Sequence, residues 1–328
     1  MRIFKILTIS LLLIVLIGCA VSCDRENDSP SEDVYYTVTF NSAGGTSVDS
    51  VRVLGGSMIA QPADPQKEGY IFNGWYNGAR DWNFGFHTVT SDVTLTARWI
   101  DASSLFEYVA EDGEITLTKY KGVIESLRIP DINAGIPVVS IGEGAFDGTD
   151  AEKTKEIIIG DNIKHIGDSA FYECDGISIK VEGKPEYIGE KAFYKCDMLS
   201  SISFGEGAQA VEYKAFYGCV SLKSVTLSST VTEISENAFE GCTSLQTITL
   251  YDSLKTVSDS AFLDCSALAA IYYYGDPQKW DAVEINDGNN GNVSFRGAGF
   301  YIYSEDKPAD SSDVEYWHFD KNGNIRIW

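Results

Sequence analysis

Five cysteines, Cys174, Cys196, Cys219, Cys242 and Cys265, recur at steps of 22 or 23 residues and are the first candidates for chemistry in this chain. A thiolate binds zinc or acts as a nucleophile, but a zinc site needs CxxC-type pairing or added histidines. Neither accompanies these cysteines. The three histidines, His87, His165 and His318, stand far apart and supply no metal cluster and no base for a catalytic triad. His165 directly precedes a core Ile, which places it on the outside of its element. The GxxxxGK[ST], HExxH and GxSxG patterns are absent. Acidic residues number 48, yet glycoside hydrolysis needs two carboxyls held about 5–10 Å apart in a cleft, which a flat repeat surface does not supply. The expectation is a protein without catalytic residues, metal or cofactor. The five thiols then read as small buried hydrophobes.

The elements that hold those cysteines repeat as a unit. An Ala-Phe pair precedes each one and occurs six times, ending in Phe146, Phe171, Phe193, Phe216, Phe239 and Phe262, at steps of 25, 22, 23, 23 and 23. Five residues before each Phe lies Ile141, Ile166, Ile188, Val211, Ile234 or Val257. Three residues after it comes the Cys, with Thr149 in its place in the first unit, and from the second unit onward three further on comes Ile177, Leu199, Leu222, Leu245 or Leu268. A short alternating run follows, as in Val225-Thr226-Leu227, and reads as a strand with one buried face. Ser235 to Gly241 opens with an N-cap type and stops at Gly, predicting one or two helical turns, a short helix or 3₁₀ piece on the side opposite the strand. A period in the low twenties describes a solenoid of stacked coils. At about 4.8 Å per coil six coils make a rod on the order of 30 Å long, with the Phe rings as a central ladder.

These I-x-x-x-A-F-x-x-C-x-x-L-x-x-[IV]-x-[LF] coils resemble the leucine-rich repeats of the BspA type, also found in treponemal surface proteins. The entry segment from Ile129-Pro130-Asp131 to Ile141-Gly142 is similar to that family's first coil. The resemblance covers about residues 105–273. It implies a bacterial cell-surface protein that contacts a host or matrix protein or a glycan, as an adhesin does.

The formal net charge is −23, from 48 acidic and 25 basic residues. That balance argues against nucleic acid, whose phosphates need clustered Lys and Arg. Residues 1–18 read as a secretion signal: Arg2 and Lys5, then an apolar stretch from Ile6 to Ile17, shorter than the roughly 20 residues that span a bilayer. Leu16-Ile17-Gly18-Cys19 resembles a bacterial lipobox, with Cys19 as the lipidated residue. Ala20-Val21-Ser22-Cys23 is the alternative, and the acidic run after Cys23 resembles surface-exported lipoproteins of Bacteroidetes. Either cysteine implies membrane attachment through acyl chains and an outer-membrane or cell-surface location. Residues 19–33 form an acidic tether.

Residues 34–101 have another texture, with alternating strands around Tyr35–Phe40, Val48–Leu54, Tyr70–Tyr76 and Val93–Trp99. The motifs T-V-T-F-N-x-x-G-G, G-Y-x-F-x-G-W-Y and T-L-x-A-x-W resemble the InlB B-repeat, the Listeria–Bacteroides repeat, which implies a small β-grasp-like spacer or adhesive module. Trp75 and Trp99 read as core, while Trp82 in its looser stretch is the candidate for exposure and His87 a turn residue.

Residues 274–328 read as a cap that shields the last coil, with a short helix opening at Pro277, Trp280 laid over the stack, and a hairpin turning at Asn322-Gly323. Asp320 to Asn324 lacks the register of an EF-hand. The expected fold is mainly β with short helices: a β-grasp-like module, a leucine-rich-repeat solenoid over 105–273, and a cap containing a β-hairpin. The expected function is lipid-anchored surface binding, the alternative a non-catalytic accessory subunit of a glycan-uptake or envelope assembly. Two rows are candidate contact residues: the outward strand positions Lys180, Ser203, Thr226, Thr249 and Tyr272, and the tyrosines that follow Ala-Phe, Tyr172, Tyr194 and Tyr217.

Overall fold

A computed structural model describes residues 33–122, 124–149, 153–286, 288, 291–305, 315–319 and 325–327. The signal, Cys19, Cys23, the tether up to residue 32 and the segment from Asp320 to Asn324 lie outside the described residues.

The first module is a five-stranded sheet. Its strands are β1 (Tyr35–Asn41), β2 (Val51–Leu54), β3 (Tyr70–Asn77), β4 (Arg80–Asp81) and β5 (Val93–Asp101), in the order β2-β1-β5-β3-β4. β1 and β5 run parallel and the other pairs antiparallel. Alternation places Val38, Phe40, Trp75, Leu95 and Ala97 in one core, where Phe40 meets Trp75 edge-on at 4.8 Å. Gly45 lets the chain pass close to Trp99: a Cβ there would stand 2.5 Å from the indole. Trp99 is half-buried and donates its indole N–H to the Ser42 carbonyl at 2.9 Å. Trp82 is half-buried as well, 5.1 Å from the His87 ring, and the exposed aromatic of that loop is Phe86, at 77%. His87 closes the turn by accepting the Asn83 N–H.

Asp101 caps a single 3₁₀ turn, Ala102–Ser104, and the chain enters the repeats. Ile71 and Ala102 are buried in the same cluster as Phe106 and Leu117, so the module and the first coil share a core where they join.

Each coil carries two strands. The front strands include Ser126–Arg128, Glu156–Ile159, Ser178–Val181, Ser201–Ser203, Ser224–Thr226, Thr247–Tyr251 and Ala270–Tyr274. The shorter back strands include His165–Ile166, Tyr187–Ile188, Ala210–Val211, Glu233–Ile234 and Thr256–Val257. All pair in parallel with the equivalent strand of the next coil, except that both rows are interrupted between the coils of Ile179 and Ile202. The Phe ladder crosses that interruption unbroken, with Phe193 and Phe216 stacked at 5.5 Å.

The Ala-Phe segments differ from the helical turns expected of them. They are non-helical turns whose alternate N–H groups reach the next coil: Lys214, Phe216 and Gly218 donate to the carbonyls of Glu236, Ala238 and Glu240. A helix would spend those donors within its own turn, whereas here they bind coil to coil. The residue before each Ala adopts a left-handed backbone, with φ of 53° to 57° at Ser169, Lys191, Lys214, Asn237 and Ser260. The stop at Gly241 is also left-handed, at φ 77°.

The ladder is longer than six rings. Successive Phe rings lie 4.7 to 5.5 Å apart, tilted by 18° or less. Tyr120 stacks on Phe146 at 5.3 Å, and Phe295 stacks on Phe262 at 4.5 Å. The boundary expected at residue 273 therefore does not end the stack. Glu284–Ile285 joins the back row, Gly299–Tyr303 joins the front row, and Phe300 comes into register with Ile271. Beyond them Glu315–Phe319 extends the front sheet and pairs antiparallel with Ile325–Ile327. The helix Pro277–Trp280, capped by Asp276, sets Trp280 4.5 Å from Phe300 and 5.4 Å from Tyr273.

Candidate binding surface

The five cysteines lie inside the stack as free thiols. Cys196, Cys219, Cys242 and Cys265 each point at the Phe carbonyl of the preceding coil, with Sγ to O distances of 3.0 to 3.1 Å, and Cys174 does so at 3.5 Å. A thiol here is a small apolar group that also supplies a weak second donor to a Phe carbonyl, which already accepts the N–H three residues on in its own coil. In the first unit Thr149 donates to Phe146 O at 2.6 Å instead. Burial pushes the Cys196, Cys219 and Cys242 thiols well up, and that of Cys265 up to about 12. Buried and held protonated, Cys196, Cys219, Cys242 and Cys265 are poor nucleophiles and poor metal ligands.

Outward chemistry therefore falls to the positions that the core does not use. The residue after each Phe points away from the ladder, and three coils place a tyrosine there. Tyr172 and Tyr194 stack at 4.9 Å and 4°, Tyr194 and Tyr217 at 4.8 Å and 12°. All three are half-buried. Lysines border this ridge. Lys195 Nζ lies 5.4 Å from the Tyr194 ring and pairs with Glu173 at 3.1 Å. Lys214 Nζ lies 5.3 Å from Tyr217 and 5.0 Å from Tyr213, and Lys191 Nζ 5.8 Å from Tyr213. Glu173 holds the Lys195 ammonium in its charged form, and the Tyr213 hydroxyl acts likewise on Lys214. Glu240, and then burial, raises the Tyr217 phenol; burial followed by Glu173 raises Tyr172. The ridge is thus tyrosine bordered by Lys191, Lys195 and Lys214 and by Glu173 and Glu240, on a chain whose net charge is −23.

The row of strand positions is less uniform than its spacing suggests. Lys180 is exposed, pairs with Glu156, and belongs to a different sheet from the remaining four. Ser203, Thr226, Thr249 and Tyr272 are in register on neighbouring strands. Ser203 and Thr226 are half-buried, but Thr249 is only 9% exposed. Tyr272 lies 5.5 Å from both Tyr301 and Trp317, because the strands after the last Cys-bearing coil continue the sheet and lay rings on this face. Thr249 is a buried position, which spacing alone does not reveal. The lysines beside the tyrosines were not singled out from the sequence, although Lys191, Lys195 and Lys214 stand within three residues of Ala-Phe pairs.

Comparison with known proteins places these features in families. Residues 120–213 and 186–281 match the BspA type leucine-rich repeat region, and residues 36–98 match the Listeria–Bacteroides repeat domain. The chain carries both kinds of repeat. A Gly-rich protein of Evansella cellulosilytica is 45% identical over 67 residues, which are 20% of this chain and 8% of that one. Internalin H of Listeria monocytogenes is 33% identical over 104 residues, 29% of this chain and 18% of its own. The matches thus span less than a fifth of these curated relatives' length. Among solved structures, a leucine-rich repeat protein of T. pallidum shares 21% identity at TM-score 0.40, covering 51% of this chain and 89% of its own. A leucine-rich cell surface protein of Faecalibacterium prausnitzii shares 24% at TM-score 0.42, covering 68% of this chain and 59% of its own.

Proposed function

We propose that this chain is an extracellular or surface protein whose repeats bind a partner macromolecule, an adhesin-like role held at the membrane by a lipid on Cys19 or Cys23. The two repeat families support surface interaction as the general role. The observation that carries the site is the ridge of Tyr172, Tyr194 and Tyr217 with Lys191, Lys195 and Lys214 around it. Tyrosines give rigid contact area at small entropic cost, and lysines in an otherwise acidic surface select an acidic patch on the partner. The preferred partner is accordingly a host or matrix protein with an acidic surface, and an acidic glycan is the other outcome. Ser203 and Thr226 on one sheet, with Lys180 on the sheet before it, are the flanking strand positions.

The test is binding of the full chain, in detergent, to an array of matrix proteins and glycans. The Tyr172→Ala/Tyr194→Ala/Tyr217→Ala variant loses the interaction, and Lys195→Ala/Lys214→Ala weakens it more at low salt than at high salt. Undiminished binding by the triple variant refutes the ridge. Acyl labelling of Cys19→Ala and Cys23→Ala reports the anchor, since only one of them abolishes incorporation.

A further inference from the structure

The first module has two ends. At one, Tyr70 pairs with Asp101 and Ile71 with Ile100, and Ile71 and Ala102 join the core of the first coil. At the other, the described chain begins at Asp33 and leads into β1. There β1 meets β2, with Tyr35 paired to Leu54. The Gly55 N–H donates to the Val34 carbonyl at 2.7 Å, and the Ser57 N–H closes the turn on the Leu54 carbonyl at 3.0 Å. The loop that carries Phe86 is tied to the same turn: the Gly56 N–H donates to the Val89 carbonyl and the Val89 N–H to the Ser57 carbonyl, each at 2.8 Å.

This second end exposes large apolar side chains together. Val34, Tyr35, Leu54 and Met58 are exposed on the strand ends and the turn between them and the loop, and Phe86 is exposed on the tied loop. Single exposed hydrophobics are ordinary, but five on one end of a small module mark a contact surface. Among its charges, Arg52 lies 5.2 Å from the Tyr35 ring, and the Asp92 carboxylate accepts the Thr37 N–H at 2.7 Å. Val, Leu, Met, Phe and Tyr with an Arg at the edge suit a membrane interface. Apolar side chains reach into the headgroup boundary there, tyrosine sits at its level, and arginine keeps its guanidinium in water.

We infer that this end of the module docks on the bilayer that holds the N-terminal lipid, with Leu54, Met58 and Phe86 in the headgroup boundary. The inference rests on the lipid at Cys19 or Cys23 proposed above. Cys19 stands fourteen residues before Asp33, and Cys23 ten. Even fully extended, at about 3.6 Å per residue, those stretches keep Asp33 within about 50 Å or about 36 Å of the lipidated residue. The patch is thus held beside the bilayer at high effective concentration, and weak insertion suffices to dock it. The contact is apolar and the net charge of the chain is −23, so neutral phospholipid is the preferred surface. The repeats leave from the opposite end of the module, so docking turns them away from the membrane and toward a partner. The tyrosine ridge takes no part in the contact.

Two exposed methionines give the test an internal reference: Met58 in the patch, 55% exposed, and Met198 in the repeats, 48% exposed. The full chain carrying its lipid is inserted into preformed phosphatidylcholine vesicles at several protein-to-lipid ratios. It is then treated with chloramine-T, a water-soluble oxidant that converts methionine to its sulfoxide, and peptide masses follow both residues. In the parent, Met58 reacts at least about fivefold more slowly than Met198, the ratio given by a docked state that holds about four-fifths of the molecules. Phe86→Glu and Tyr35→Glu, both at exposed positions, each bring the two rates to within about twofold, because a carboxylate in the headgroup boundary opposes docking. Met58 reacting as fast as Met198 in the parent overturns the inference without any variant. So does slow Met58 oxidation that both variants leave unchanged, or protection that vanishes as the protein is diluted in lipid, which assigns the patch to a second copy of the chain. Acyl labelling of the same preparation separates the two readings. A labelled chain with fast Met58 oxidation keeps the anchor and loses the docking, and an unlabelled chain strikes the anchor and this inference with it.

Discussion

Replacing Phe216 by Ala tests the ladder at its centre. Phe216 is fully buried, with ring neighbours Phe193 at 5.5 Å, Phe239 at 5.3 Å and Phe204 edge-on at 6.1 Å. Burial of the side chain contributes about 2–3 kcal/mol, and each of the two ring stacks adds about 0.5–1.5 kcal/mol. Part of that gain returns if the walls relax, so the expected loss is about 3–5 kcal/mol, the range seen for Phe→Ala in cores. The coil-to-coil hydrogen bonds cannot close the hole, because the Phe216 N–H stays tied to Ala238 O at 2.9 Å.

Stability in a stacked array is a sum of coil terms and nearest-neighbour interface terms, so position along the ladder matters as well as size. Phe216→Ala weakens two interfaces, whereas Phe295→Ala has a ladder neighbour on one side in Phe262 and costs less. Phe216→Leu keeps most of the volume and costs less than about 1.5 kcal/mol. Urea denaturation followed by tryptophan fluorescence and by circular dichroism, with both probes fitted, gives the three values. A loss below about 1 kcal/mol for Phe216→Ala, or equal losses for Phe216→Ala and Phe295→Ala, refutes the stacked-ring account of stability.

Two further outcomes follow from the same packing. Cys174, Cys196, Cys219, Cys242 and Cys265 stay unreactive toward Ellman's reagent at pH 8 in the native protein and react together on unfolding, because burial keeps Cys196, Cys219, Cys242 and Cys265 protonated and closed to solvent; fast reaction of any one in the folded state contradicts its placement. Burial, with Glu190 and Glu233 beside it, raises the Glu212 carboxyl, so the native state binds that proton more tightly than the unfolded chain does. Stability from Glu212 is then present below its unfolded pKa of about 4.3 and is lost as pH rises through the native value. Glu212→Gln therefore raises the melting temperature at pH 7, and the gain vanishes below about pH 4; a variant less stable than the parent at pH 7 contradicts this.

Much of the fold was legible in the chain because stacked coils impose a strict spacing on the residues that face inward. Ile, Ala, Phe, Cys and Leu recur together since each occupies one slot of a repeating cross-section. The helical reading of Ser235 to Gly241 failed for a physical reason: a cap-like start and a Gly stop are shared by helices and by left-handed turns, and the alternating N–H pattern that separates them is a contact between coils 23 residues apart. The end coils were hidden by altered spacing. Ile285 precedes Phe295 by ten residues where five is the rule, yet register with Val257 and Phe262 places both in the stack. A cleft at the junction of module and repeats, lined by Asp64 and Asp131 among others, left no trace in the sequence, since those residues come to one place only through the way the two domains join.

The position after Phe bears on recognition more directly than the strand face. The core requires nothing particular there: it is Asp147, Tyr172, Tyr194, Tyr217, Glu240 and Leu263 in successive coils, while the Phe beside it never varies. A residue serving coil stacking would repeat in every coil, as the cysteines nearly do. Three adjacent tyrosines between carboxylates, with Lys191 and Lys195 in the second of their coils and Lys214 in the third, instead describe a patch of finite length. Three coils at about 4.8 Å each give a contact line on the order of 10–15 Å, the scale of a hot-spot cluster rather than of a whole interface. If the ridge binds as proposed, that length asks for a compact acidic patch on the partner, matched to one segment of the solenoid, with the remaining coils acting as the support that holds the three rings in register.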